Sequence, residues 1–273
     1  MKNTRLSITN DTTFITLMND VYISKSLELY GEWSFGEIEC LSKFLKPTDN
    51  IVEVGSNIGS HTVFIARDLV PNGNAYAFEP RRQLFQLLCG NLALNGIENV
   101  FSYQCALGKA TETFFEGKLE LGNALNAGGY ALGSIPGNTE TFDIRPIDDF
   151  LDNLQPITVL KADVEGHELD LLVGGKKLIK RDRPIMYLEN DKLEKSKDLI
   201  ELIWKLNYNI WWHKVPLFNP KNKALTQQNI FHNLVSFNIL CIPSERNINI
   251  EGLEIINDSA AHPAKKPHED RKL

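Results

Sequence analysis

Between residues 51 and 105 the chain alternates between short apolar runs and helical patterns, and this alternation restricts the fold more than any other feature. Residues 51–54, 75–79 and 100–105 read as buried strands. Residues 59–70 and 82–94 read as helices, the second with Leu84, Leu88 and Leu92 recurring at helical spacing. Strands that alternate with helices of about ten residues or more imply a parallel, doubly wound sheet, because parallel neighbours need a crossover between them. The rhythm resumes at 157–162, 167–180 and 184–189, followed by a helix with Leu199, Leu202, Ile203 and Leu206 on one face. Two final strands are predicted at 208–212 and 234–242. The expected fold is therefore α/β, with a doubly wound, mostly parallel sheet.

The rhythm fails in three places. Residues 1–33 carry few periodic signals and read as an N-terminal arm. Residues 106–156 read as an insertion, a β-hairpin made of 111–115 and 139–145. The Gly-, Asn- and Leu-rich stretch 117–138 between those strands is expected to be a mobile loop covering a site. Residues 257–273, rich in Lys, Pro, Glu and Asp, are expected to be a disordered tail, which leaves 34–256 as the main domain. Just before the first strand, Ser34 and Glu37 have the spacing of a capping box. They predict a helix through about Leu45, with Leu41, Phe44 and Leu45 as its apolar stripe and Pro47 ending it.

Charge and cysteine content narrow the functional classes. A net charge of −6 with no basic run argues against nucleic acid, which needs a stripe of phosphate-neutralising side chains. Cys40, Cys89, Cys105 and Cys241 are far apart and form no C-x-x-C pair, so neither a zinc site nor a disulfide framework is expected. No signal peptide and no membrane span are evident, so the expected location is cytoplasmic.

The first strand and its turn, Ile51-Val52-Glu53-Val54-Gly55-Ser56-Asn57-Ile58-Gly59, are answered by Phe78-Glu79-Pro80 at the end of the second. Such a pair holds an adenosine-bearing cofactor: backbone approaches at the glycines and a carboxylate takes the ribose hydroxyls. A dinucleotide fingerprint would place glycines at 55, 57 and 60, but Asn57 and Ser60 occupy the last two. Glu53 would also repel a pyrophosphate, whereas it suits a cofactor ending in an ammonium group. S-Adenosylmethionine has that end and no phosphates. A nicotinamide-dependent oxidoreductase is disfavoured on these grounds, and no P-loop is present.

Further motifs stand in a definite order. They are Asn57-Ile58-Gly59-Ser60-His61-Thr62, then Phe78-Glu79-Pro80, Asn91 and Asn95, Ala106-Leu107-Gly108, and Leu160-Lys161-Ala162-Asp163-Val164-Glu165-Gly166-His167-Glu168. Together with Leu217-Phe218-Asn219-Pro220 and Ser236-Phe237-Asn238-Ile239-Leu240, they resemble the FkbM family of S-adenosylmethionine-dependent methyltransferases over residues 30–243. The resemblance implies a Rossmann-like, seven-stranded class I methyltransferase sheet with a reversed last strand. It also implies an O-methyltransferase acting on a hydroxyl of a sugar, glycan or secondary metabolite, so that the partner is a small-molecule or glycan acceptor.

On this reading Glu53, Gly55, Asn57, Gly59 and Thr62 hold the methionine end of the cofactor, Glu79 the ribose, and Cys105 and Ala106 the adenine. Asp163 lies beside the transferred methyl, and His167 or Glu165 receives the proton of the attacking hydroxyl. No metal ligand is assigned, since the resemblance requires none. Asp163, Glu189 and Asp191 would nevertheless offer the hard oxygen atoms that magnesium prefers. Trp211 and Trp212 read either as packing residues on opposite faces of a strand or as a stacking wall for the acceptor, with His213 at its rim. A non-catalytic protein that binds S-adenosylmethionine is the remaining alternative.

Overall fold

The computed structural model describes residues 3–9 and 11–265. It opens with a hairpin, β1 (Thr4–Thr9) and β2 (Thr12–Leu17), followed by α1 (Ile23–Tyr30) and α2 (Gly36–Leu41). The first α/β units are β3 (Ile51–Val54), α3 (Thr62–Phe64, continued by a π-turn over Ile65–Leu69), β4 (Ala75–Phe78), α4 (Arg82–Leu94) and β5 (Val100–Tyr103). The insertion contains β6 (Ala106–Leu107), β7 (Glu112–Glu116) and β8 (Glu140–Arg145). Then come β9 (Val159–Ala162), α5 (Glu168–Gly174), α6 (Lys176–Asp182), β10 (Ile185–Glu189) and α7 (Leu193–Lys205). β11 (Tyr208–Pro216), β12 (Val235–Pro243) and β13 (Glu254–Ile255) complete the fold.

The central sheet has the order β13-β11-β12-β10-β9-β3-β4-β5. β4, β3, β9 and β10 pair in parallel, with β5 parallel at the edge, whereas β12 runs antiparallel to both neighbours. The seven expected strands and the reversed last one are present, and the two-residue β13 adds an eighth at the β11 edge. Side chains alternate across the strands and so feed two cores. Ile51, Ala75, Val159 and Ile185 enter one, while Val52, Tyr76, Leu160 and Met186 enter the other. Trp211 and Trp212 divide between the same two cores and are both buried, so they pack the fold and form no acceptor wall.

Several local expectations are corrected. The described part of the N-terminal arm, residues 3–9 and 11–33, is tied to the main domain. The backbone of β2 is paired by two asparagine side chains of α4: Thr13 N–H donates to Asn95 Oδ1 and Ile15 N–H to Asn91 Oδ1. The two amides donate in return to the carbonyls of Thr13 and Ile15. Ser34 does not cap a helix through Leu45. Its φ of 42° is left-handed, outside the extended region an N-cap occupies, and its hydroxyl donates to Glu37 Oε1 while accepting from no backbone N–H of the helix. The helix predicted at 167–180 is divided at Gly175 into α5 and α6, and Gly174 lies so close to the Gly108 carbonyl that a Cβ would stand 2.0 Å from its oxygen. Residues 257–265, expected within the disordered tail, are mostly exposed and reach the sheet through His262. There His262 is buried edge-on to Trp212 and shares a hydrogen bond with Asn190 O at 2.8 Å. The rest of that expected tail falls outside the described residues.

Candidate active site

β3 runs into a turn that only glycine can begin. Gly55 has φ 83°, and a Cβ there would stand 1.9 Å from the carbonyl oxygen of Asp163. The turn is stitched to both neighbouring strands. Gly55 and Ser56 N–H donate to Phe78 O, and Asp163 N–H donates to Val54 O. The next residue, Asn57, is also left-handed and turns its own N–H onto Glu79 Oε2 at 3.0 Å. Arg81 N–H reaches the other carboxylate oxygen, Oε1, at 2.9 Å. Glu79 is thereby fixed at the carboxyl end of β4, where open α/β sheets bind ligands.

A cavity opens over these strand ends. Gly55, Asn57, Glu79, Cys105, Ala106, Asp163, Glu165 and His167 all line it, so most of the predicted site residues come together. The loop of the insertion closes one side with Ala127, Gly128, Tyr130 and Leu132. Arg81, which sequence reasoning left without a role, fastens that loop. Its guanidinium grips Glu116 with two hydrogen bonds, of 2.7 and 3.2 Å, and donates to the carbonyls of Tyr130 and Ala131.

Glu53, Gly59 and Thr62, expected at the methionine end of the cofactor, line neither this cavity nor the one described next. Thr62 Oγ1 donates to Glu53 Oε2 at 2.6 Å beneath the turn. Glu53 faces Lys161 in register on β9, with Nζ 3.9 Å from one Glu53 oxygen and 3.6 Å from Glu37. This buried group supports the turn from below. Gly59 holds a left-handed backbone, φ 85°, that strains any residue with a side chain.

A second cavity, open to solvent, adjoins the first and shares Gly128, Asp163 and Glu165 with it. Tyr22, Ile23 and Trp33 from the N-terminal segment form one wall, while Leu217 and 234–236 form another. The N-terminal residues carried no sequence signal for this placement. Glu37, Glu189 and Asp191 add to the acids at its floor. Of the three acids considered for a metal, Asp163 and Glu189 do come together, but the third member of the tight group is Glu165 and not Asp191.

Burial governs the charges here. It pushes the Glu79 carboxyl up to about 7, against the two N–H groups and Arg81 that favour ionisation. Glu165 rises to about 7 through burial and the charge of Asp163, opposed by Lys192, which donates to its Oε2 at 2.6 Å. Glu168 also rises to about 7, mainly through burial. It accepts from Val164 and Gly166 N–H and so holds the turn instead of lining the cavity. His167 is lowered by burial and by Lys195, which keeps its imidazole neutral near pH 7.

These raised carboxylates mean that the folded chain holds protons the unfolded chain has released. Their contribution is complete below the ordinary carboxylate range and is lost as pH climbs through about 7. The loss is of order 3 kcal/mol for Glu79 alone. The cofactor-free protein is expected to melt at progressively lower temperature from pH 5.5 to pH 8, as read by scanning fluorimetry. A melting temperature that rises over that interval would contradict the burial argument.

A doubly wound sheet with one reversed strand, a glycine turn after its first strand and an acid ending its second is the architecture of a class I methyltransferase. Residues 53–210, more than half of the chain, match the family model described as "Methyltransferase FkbM domain". The chain belongs to the FkbM family of S-adenosylmethionine-dependent methyltransferases, and the oxidoreductase alternative falls away. It is 29% identical over 178 residues to "Methyltransferase 1" of Beauveria bassiana strain ARSEF 2860, covering 56% of this chain and 71% of that one. Among solved structures, the methyltransferase FkbM from Methylobacillus flagellatus KT matches with 18% identity and a TM-score of 0.47, over 72% of this chain. The chain spans 44% of that protein's length. The O-methyltransferase TomG from Streptomyces achromogenes, solved with S-adenosylmethionine, matches at 13% identity and TM-score 0.45, covering 82% of this chain and 90% of that one. Among the described residues, no helix is long and apolar enough to cross a membrane.

Proposed function

We propose that the chain is an O-methyltransferase that moves the methyl group of S-adenosylmethionine to a hydroxyl of a sugar, glycan or secondary metabolite. One observation supports this reading above the rest: the cavity carrying Glu79 and the open cavity beside it meet at Asp163 and Glu165. A donor in the first would present its methyl to an acceptor in the second.

In this reading Gly55 and Asn57 let the methionine end approach backbone, Glu79 accepts the ribose hydroxyls, and Cys105 and Ala106 flank the adenine. Asp163 lies beside the sulfonium. The acceptor oxygen attacks the methyl carbon in line, the carbon–sulfur bond breaks, and its electron pair stays on sulfur, giving neutral S-adenosylhomocysteine. The hydroxyl proton passes to His167 or Glu165. Glu165 lines both cavities but is tied to Lys192, whereas the neutral imidazole of His167 lines the donor cavity alone and would have to meet the acceptor across the seam. The methyl is already activated, so alignment and exclusion of water supply much of the rate. Residues 106–156 act as the lid that excludes it.

The direct test incubates the protein with methyl-labelled S-adenosylmethionine and fractionated cell extract. Label should appear in a fraction as a base-stable methyl ether. Binding of the cofactor without transfer to any fraction would favour a non-catalytic protein. In the same assay His167→Ala is expected to lower turnover about a hundredfold, the usual worth of a positioned base. Cofactor affinity by calorimetry should stay within about twofold of wild type if the imidazole acts only on the acceptor. A fully active variant would remove His167 from the mechanism.

A further inference from the structure

The loop of the insertion is fastened at both ends, and the second fastening belongs to the N-terminal segment. Arg81 holds the far end through the carbonyls of Tyr130 and Ala131. The near end runs beside residues 19–21 as a short parallel bridge. In it Val21 N–H donates to Leu125 O and Leu125 N–H to Asn19 O, both at 3.0 Å. The side-chain amide of Asn19 also donates to Leu121 O at 2.9 Å.

Asp20 closes this joint. Its Oδ1 accepts from Ala127 N–H of the loop at 3.2 Å, and its Oδ2 from Ser24 N–H in the first turn of α1 at 2.7 Å. Asp20 and Ala127 are both buried. A buried carboxylate is costly unless it is hydrogen-bonded, and here its two donors come from segments remote in sequence. The carboxylate is therefore satisfied only while the loop and the helix are both in place.

The joint sits where the two cavities meet. Just beyond Ala127 the loop crosses the seam as Gly128, which lines both. A Cβ on Gly128 would stand 2.8 Å from Ile23 Cδ1 and 3.6 Å from Asn57 Nδ2, so the backbone there is wedged between the acceptor wall and the donor turn. Ala127, Tyr130 and Leu132 face the donor cavity, whereas Tyr22 and Ile23, just after Asp20, wall the open one. Asp20 itself lines neither cavity.

We propose that Asp20 is a positioning residue that joins the donor loop to the acceptor wall, so that S-adenosylmethionine, by holding the loop, also completes the acceptor cavity. The roles of the two cavities rest on the methyl-transfer reading, and on that reading the donor binds first and the acceptor second. The coupling runs both ways, since whatever steadies Tyr22 and Ile23 also steadies the loop over the donor.

Hydrogen–deuterium exchange read by mass spectrometry tests the joint with S-adenosylmethionine alone. In wild-type protein the cofactor should slow exchange over 55–57 in the donor turn, over 121–128 in the loop and, outside the donor cavity, over 19–24. In Asp20→Ala the slowing at 55–57 should persist while that over 19–24 disappears. Cofactor affinity by calorimetry should fall about tenfold, the effect of a loop that is ordered in about a tenth of the chains. Asp20→Asn keeps one acceptor oxygen and should recover part of that affinity. Protection of 55–57 without protection of 19–24 in wild type would overturn the proposal. So would an Asp20→Ala variant that passes protection on as wild type does. Should Asp20→Ala not fold, Asn19→Ala removes only the bond to Leu121 and should show a weaker form of the same loss; full transmission in that variant also overturns the joint. If S-adenosylmethionine protects nothing in wild type, the donor assignment fails by itself. The joint is then judged in cofactor-free protein, where Asp20→Ala should still speed exchange over 121–128 and equal rates would overturn it.

Discussion

Gly55→Ala is expected to cost about 4 kcal/mol of folding stability and to abolish measurable binding of S-adenosylmethionine. Two separate penalties add. A φ of 83° is disfavoured for any residue with a Cβ, by roughly 1–2 kcal/mol. The methyl would also overlap the Asp163 carbonyl, at 1.9 Å, and the obstacle is backbone held by its own hydrogen bond to Val54, not a side chain that can swing away. Forcing the strands apart adds roughly 1–3 kcal/mol more. Gly96 provides the comparison. Its φ is 63°, but nothing stands within 4 Å of the added carbon, so Gly96→Ala should carry only the first penalty. Urea unfolding of the two variants separates the effects. Equal midpoints would mean that the contact at Asp163 relaxes freely and that the turn is not the rigid element described above.

Glu79→Ala is expected to weaken S-adenosylmethionine binding roughly a hundredfold. Two hydroxyls hydrogen-bonded to one carboxylate are together worth about 3 kcal/mol, and each 1.4 kcal/mol is a factor of ten. The loss goes beyond those contacts. Asn57 and Arg81 N–H groups would also be left without their acceptor, loosening the turn that shapes the donor cavity. Glu79→Gln keeps one carbonyl oxygen and should recover part of the affinity. Calorimetric titration decides the matter, and a Glu79→Ala variant with wild-type affinity would remove the ribose assignment.

The strands of the sheet were readable because each is short and apolar and lies between turn residues. Their order then follows from crossover chemistry. The same reasoning brought Gly55, Glu79, Asp163 and Glu165 to one edge, since all lie at or just beyond the carboxyl ends of β3, β4 and β9. What escaped depends on contacts remote in sequence. Glu53 was expected to meet the cofactor, yet its fate is set by Lys161, which faces it from β9 at a register no local pattern reveals. The need for glycine at 174, beside the break between α5 and α6, comes from Gly108, far back in the chain. Tyr22 and Trp33 belong to a segment without clear periodicity, so their place on the wall of the open cavity had no local signature.

The pairing of β2 with Asn91 and Asn95 has a consequence for the order of events during synthesis. The amides that complete the backbone of β2 lie 76 and 82 residues further along the chain. The hairpin therefore leaves the ribosome first but finds its partner only after α4 has been made. At about 5–20 residues per second, its outer edge stays open for several seconds, and unpaired strand edges are where nascent chains associate wrongly. Replacing Asn91 would thus be felt as lower soluble yield from newly made chains before it is felt as a lower melting point of the finished protein.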